Sequence, residues 1–346
     1  AHDFNDPYST YGVGRIQDNE FAHRSGAKPL GLVHQENSSY SLQNPASYAF
    51  LEYTTFNMGL GGKLYEQQRQ DSSYQDNRIG FGYLSLGFPI MKDIGWGASF
   101  GVTPFSHLGY RQARRDFDPE IEQDYQIRRT GDGGISKFYL GNGFQITPRL
   151  SLGFNVGYLF GELERSLIYD YQALRGRSSR SITSRQVGDF IFEGGVQYSR
   201  DLQEDLELLV GANARIPRNI NYTINQTTLT YQSLNDPRLS FEDIENTILV
   251  DTTDQTADKT RSMKLPGSYQ TTVALQKAND WQVGLGFSYE QWSTMEIGSI
   301  DQELGDRTEV SLSGELLPSQ ESLSTYIERM SFRFGIKYAN SYLQPT

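Results

Sequence analysis

Residues 149–161, RLSLGFNVGYLFG, alternate with a period of two. Leu150, Leu152, Phe154, Val156, Tyr158 and Phe160 fall on one face of a strand. Ser151, Gly153, Asn155, Gly157 and Gly161 fall on the other, with Leu159 the exception, because successive side chains point to opposite sides. In a soluble sandwich the apolar face would meet a second apolar sheet. Here the opposite face is mostly glycine and small polar groups, and the pattern returns at least six more times. An outward apolar band over a small, polar inner face is the pattern of a transmembrane barrel strand. The expected fold is all-β, a transmembrane antiparallel β-barrel with about ten visible strands.

Composition allows this. Of the 346 residues 37% are hydrophobic, and mean hydropathy is −0.56. No run approaches the roughly 18 consecutive apolar residues of a spanning helix. A barrel strand needs only about 9–11 residues and shows half its side chains to lipid, so bulk hydropathy does not reveal it. The 34 glycines, 22 tyrosines and 19 phenylalanines suit strands with aromatic ends and tight inner packing. A net charge of −11 speaks against a general nucleic-acid partner. The absence of cysteine leaves no disulfides or thiolate metal sites. No secretory signal is visible and the chain starts at Ala1-His2-Asp3. The expectation is an exported protein of the cell outer membrane, numbered after signal-peptide removal.

Two regions are expected. Residues 1–51 are polar, carry turn formers (Asp6-Pro7, Gly12, Gly14, Lys28-Pro29, Asn44-Pro45) and lack a sustained period. They read either as a disordered tail or as a periplasmic or lumenal hatch packed against the inside of the barrel. Residues 52–346 read as the barrel, with strands at 53–64, 78–88, 94–103, 138–146, 149–161, 189–198, 206–216, 269–275, 281–290 and 329–338. A phase change near Tyr83–Leu84 predicts a bulge. Short connections (89–93, 147–149, 199–205, 277–280) alternate with long polar ones (66–77, 106–132, 162–185, 218–260, 293–325), as tight periplasmic turns and long extracellular loops do. That places residues 1–51 on the periplasmic side. The chain stops soon after the tenth strand, so the expectation is that closing strands lie outside the given sequence or come from elsewhere.

Asn44-Pro45-Ala46-Ser47-Tyr48 resembles the NPA element in the hatch of FadL-type outer-membrane transporters. Tyr8–Gly14 (YSTYGVG) is similar to the opening of their Bacteroidota relatives, as are Tyr83–Pro89 (YLSLGFP), Gly101–Tyr110 (GVTPFSHLGY), Gly133–Gly141 (GGISKFYLG) and Leu152–Gly161. The resemblance covers most of residues 8–165 and returns at 265–292. It implies a Gram-negative, 14-stranded barrel with an N-terminal hatch, carrying long-chain fatty acids or other hydrophobic compounds inward. Some Bacteroidota relatives act instead as partner barrels, as in the type IX secretion translocon. The chain departs from the pattern in showing ten strands and in the connection 218–260, which points to a binding partner.

Candidate sites follow. Asn44, Pro45 and Ala46 would fix or gate the hatch, or form a plain turn. Pro104, with Phe105, would either kink the wall and open a lateral exit, as the resemblance implies, or end the strand. Arg215, Arg329, Arg333 and Lys337 face inward and would meet a ligand carboxylate, or pair with Glu193, Glu207 and Glu290 to fill the lumen. Asp116, Asp118 and Glu120 read as a solvated loop or a calcium site. No metal, cofactor or enzyme chemistry is expected: the four histidines are scattered, and Ser106 and His107, as strand neighbours, point opposite ways. The expected function is passive uptake of hydrophobic compounds within outer-membrane lipid. The alternative is a non-transporting partner barrel of a multi-protein outer-membrane complex of secretion or assembly.

Overall fold

The computed structural model describes residues 6–17, 20–69, 72–120, 122–171, 177–232, 251–277, 280–295, 304–316 and 330–342. Among the described residues fourteen strands form one antiparallel sheet. β1 (Arg15–Ile16) belongs to the N-terminal segment. The wall is built of β2 (Thr55–Arg69), β3 (Ser72–Met91), β4 (Trp96–Asp118), β5 (Gln123–Thr147), β6 (Leu150–Tyr171), β7 (Arg177–Gln203), β8 (Leu206–Arg215), β9 (Arg218–Gln232), β10 (Asp251–Leu265), β11 (Ser268–Lys277), β12 (Trp281–Glu290), β13 (Arg307–Leu316) and β14 (Phe332–Ala339). β7 pairs with β8 through Glu193–Gln203 and with β9 through Arg177–Val187. β8 and β9 are thus two storeys of one strand, interrupted at Pro217, and β10 and β11 are two storeys interrupted at Pro266-Gly267. A proline has no N–H to give the ladder, which is why each break falls there.

The alternation predicted from sequence is the alternation observed. Phe154, Phe190, Leu285 and Phe334 are exposed on the outer face, while Ser151, Asn155, Gln197 and Gln282 are buried on the inner. The bulge falls where the phase changes: β3 gains a residue against β2 between Tyr83 and Phe81. Each of the ten expected strands has its counterpart. Leu159, the one apolar residue on the polar face, is fully buried in an inner cluster with Ile135, Leu163, Ile191, Ile220, Met263 and Trp292.

The expected loops are largely strands. β4, β5, β6 and β7 hold 23, 25, 22 and 27 residues, against the roughly 9–11 that span a bilayer. Residues 106–118, 123–132, 162–171 and 177–185 are therefore continuations of the ladder, and β9 and β10 occupy most of 218–260, of which 233–250 lie outside the described residues. Above the apolar band the outer face no longer meets lipid and is mostly polar, so no regular apolar alternation marks the strand, and only propensity and pairing remain. β4, β5, β6, β7, β9 and β10 together make a projecting six-stranded wall. β13 was also hidden in an expected loop, 293–325, because glycine and serine dilute its outward set of Val310, Leu312 and Leu316. With β13 in place, β14 runs opposite to the expected direction.

Candidate functional site

A row of glycines sets the geometry. Gly97, Gly143, Gly153 and Gly195 stand directly opposite one another on β4, β5, β6 and β7. A Cβ on any of them would overlap the segment Asn44–Ala49: Tyr48 at Gly97, Pro45 and Ala49 at Gly143, Pro45 and Ala46 at Gly153, Asn44 at Gly195. The sheet's inner face is cut away so that this turn can lie on it.

Asn44 fixes the turn from within. Its Oδ1 accepts from Ala46 N at 3.1 Å, while Nδ2 donates to the carbonyls of Leu32 (2.7 Å) and Val196 (3.1 Å). Pro45 supplies the first position of the following 3-10 turn, Pro45–Phe50, where its missing N–H costs nothing. Tyr48 donates to Asn155 Oδ1 at 3.2 Å, and Asn155 in turn donates to Glu193, which pairs with Lys137 at 3.0 Å. Further contacts carry the segment round the sheet. Gln197 Nε2 donates to Leu32 O (3.0 Å), Thr272 Oγ1 to Pro29 O (2.9 Å) and Arg333 Nη1 to His23 O (3.0 Å). Residues 20–51 lie across the inner face of strands from β3 to β14.

A second feature is a gap in the wall. β3 and β4 pair from Met91↔Trp96 only as far as Leu84↔Val102. Beyond it β3 stays with β2, and the freed edge of β4 is taken by the N-terminal segment: Ile16 opposite Ser106 and Arg15 opposite His107. Gln17 N donates to Phe105 O (3.0 Å) and Asp6 N to Gly109 O (2.7 Å). Pro104 stands at this junction, beside the bulge that shifts β4 against β5. A cavity of about 550 Å³ lies in the gap, lined by Leu42, Leu60, Phe81, Pro104 and Ile135 with Asp6, Glu20 and His107. Burial raises the Glu20 carboxyl above its ordinary range, against the opposing field of Arg24.

Arg333, Lys337 and Glu290 form ion pairs, with partners outside the set named from the sequence. Arg333 meets Glu315 at 2.5 Å, Lys337 meets Glu309 at 3.9 Å, and Glu290 meets Arg307 at 3.7 Å and Trp292 Nε1 at 2.7 Å. Three of these partners lie on β13, the strand not recognised. Arg215 stands opposite Glu193 in register and lies over the Phe105 ring at 5.4 Å. Phe105 is buried inside and does not border the gap through its ring. Arg329 lies outside the described residues. Asp116 is held by Arg114 at 2.6 Å, and Asp118 accepts from Tyr171 at 3.1 Å.

A protein-family model described as BamG matches residues 2–345. Among solved structures, a Pseudomonas aeruginosa FadL homologue superposes with a TM-score of 0.52 at 14% identity, over 96% of this chain and 82% of that one. The CymD monoaromatic hydrocarbon channel gives 0.51 at 11% identity, over 96% and 85%. A TodX mutant, also a monoaromatic hydrocarbon channel, gives 0.53 at 13% identity, over 97% and 84%. These likenesses establish a FadL-like barrel fold. No curated protein matches the chain.

Proposed function

This chain belongs to the BamG family, and from that premise we propose that it is a plugged outer-membrane barrel serving as partner to other proteins in a multi-protein complex. The carrying observation is its filled interior. Residues 20–51 occupy the inner face along the glycine row, and a cluster from Phe105 and Ile135 to Met263 and Trp292 fills the face above. A transporter needs a continuous apolar pocket; a partner barrel is free to be solid. The projecting wall supplies a surface well outside the lipid band, and its edge strand β10 carries bulges at Thr252/Asp254 and Thr256/Lys259, a device that discourages indiscriminate strand pairing. Residues 1–51 act in this reading as a fixed hatch and residues 52–346 as the barrel, with β9 and β10 a docking hairpin.

The test is gentle extraction from native membranes followed by co-purification. Stoichiometric companion proteins, released when the projecting hairpin is shortened, are the expected result. A lone barrel carrying a hydrophobic compound would overturn it.

One observation favours uptake as a second reading: the cavity at the β3–β4 gap. There a hydrophobic compound would pass sideways at Pro104 once β1 moved. Among the described residues its lining includes Asp6 and Glu20 and neither lysine nor arginine, which suits a neutral hydrocarbon better than a fatty-acid carboxylate. Binding of radiolabelled toluene against palmitate by the purified chain separates these cargoes, and binding of neither removes the reading.

A further inference from the structure

The inner face above the apolar band brings two arginines together. Arg165 on β6 stands opposite Thr183, two residues along β7 from Arg185. The two guanidinium-bearing residues are therefore diagonal neighbours on one face, within reach of each other. Tyr110 on β4 stands opposite Gly131, which in turn stands opposite Arg165. A Cβ on Gly131 would strike the Tyr110 ring, so the glycine makes room for it. On the far side Tyr222 of β9 faces Val187, two residues from Arg185.

The Tyr110 hydroxyl lies close enough to Arg165, and the Tyr222 hydroxyl to Arg185, to favour each cation. Arg165 Nη2 also donates to the carbonyls of Gly12 (2.7 Å) and Thr10 (3.3 Å), so the N-terminal segment roofs the group. The charged side chain acting on Arg165 is Arg185, and among the described residues no carboxylate acts on either. Arg185 is 8% exposed, and its Nε and Nη1, like Nε of Arg165, have no partner. The next carboxylate along β7, Asp189, is already engaged by Asn221 N (2.9 Å), Phe190 N (2.7 Å) and Arg218 (3.6 Å).

Two buried like charges side by side are unfavourable unless something negative joins them. Each guanidinium presents a planar fork that fits an oxyanion through paired N–H donors. We propose that Arg165 and Arg185, with the Tyr110 and Tyr222 hydroxyls, bind a compact oxyanion, a carboxylate or a phosphate, beneath Thr10–Gly12. Arg129, exposed on the same face and acting on Tyr110, would draw the anion in. Because Arg165 also holds the backbone that precedes β1, the bound anion would help keep β1 on the edge of β4. This site stands whether or not the barrel has a protein partner.

The experiment is thermal denaturation of the full chain in an uncharged detergent, titrated with inorganic phosphate or acetate against chloride at matched ionic strength. Wild type should gain stability saturably with at least one of the two oxyanions. Arg185→Gln should lose that response yet be no less stable than wild type in chloride, since one of two repelling charges is gone. Arg185→Lys, which keeps the charge without the fork, and Tyr222→Phe should respond with about tenfold weaker affinity. Native mass spectrometry of gently extracted chain identifies the source: an adduct of phosphate mass marks a free ion, one of phospholipid mass a headgroup. No saturable response in wild type overturns the proposal. So does an Arg185→Gln protein equally destabilised in chloride and oxyanion, which would make the arginine merely structural.

Discussion

Asn44 Nδ2 donates to the Val196 carbonyl at 3.1 Å across 152 residues of sequence, and with the same amide group reaches Leu32 O at 2.7 Å. One fully buried side chain thus caps a turn and ties the N-terminal segment to itself and to β7. Asn44→Ala should cost about 1–3 kcal/mol, from the lost cap and the lost bond to the Val196 carbonyl, while Leu32 O keeps the Gln197 donor at 3.0 Å. Asn44→Asp should be at least as harmful, because it keeps the acceptor for Ala46 N but turns a negative charge on both carbonyls. Hydrogen exchange across residues 20–51 checks this. Unchanged protection in both variants would remove Asn44 as the anchor.

Adjacent glycines give a sharper contrast. A Cβ on Gly195 would overlap the Asn44 side chain, while one on Gly194 meets nothing within 4 Å. Gly195→Ala should therefore loosen the segment and expose it to protease, and Gly194→Ala should behave as wild type. Gly153→Ala should match Gly195→Ala, since its Cβ would meet the Pro45–Ala46 backbone. Overpacking of this kind costs about 1–3 kcal/mol. Limited proteolysis of the three variants decides it, and equal cutting of Gly194→Ala and Gly195→Ala would defeat the idea.

How much of this was legible in the sequence depends on what each face of a strand touches. Phe154 and Ser151 announce themselves because lipid on one side and packed interior on the other demand opposite chemistries. The glycines were visible as small inner residues, but their alignment in one row was not. Alignment is a matter of register between strands, and register is not carried by either strand alone. NPA was visible as a motif, yet the partners of Asn44 lie on a turn and a strand far along the chain. β13 was lost for want of bulky outward residues, and with it went Glu309, Glu315 and Arg307, so the acids that Arg333 and Lys337 meet were not among those named from the sequence. Arg165 and Arg185 gave no signal, since in sequence they sit among other polar residues and only the ladder sets them side by side.

The buried histidine makes docking of the segment sensitive to acid. Burial, then the nearby Arg24, His23 and Arg333, hold the His34 imidazole well below its ordinary value; Glu36 at 3.9 Å and Ser39 at 2.7 Å face it as well. A histidine whose folded value is depressed binds its proton more readily when undocked. Docking is therefore favoured above about pH 6.5, the undocked value, and weakens as pH falls below it. Glu20, raised by burial, acts in the opposite sense. It favours docking once protonated, and that contribution is lost as pH rises through its elevated value. Protection of residues 20–51, measured relative to the intrinsic exchange rate at each pH, should fall between about pH 6.5 and 5, and His34→Gln should flatten the fall. A wild-type profile flat over that range would show that the histidine does not govern docking.

Glu315 binds the last strand and the N-terminal segment to each other. Its carboxylate, 1% exposed, meets Arg333 at 2.5 Å and Arg24 at 3.9 Å, and Arg333 in turn donates to His23 O. Removing one member of such a buried group leaves the others uncompensated, at about 3–5 kcal/mol. Glu315→Gln would leave Arg24, 2% exposed, without its buried counter-charge. Arg333→Met would leave Glu315 with only the longer contact. If the three act as a unit, the double variant should cost no more than the worse single one, because the second substitution removes a charge the first had stranded. Urea denaturation of the two singles and the double in detergent measures this coupling. Strict additivity would mean that Arg333 supports the segment through the His23 carbonyl alone and that its contact with Glu315 contributes nothing.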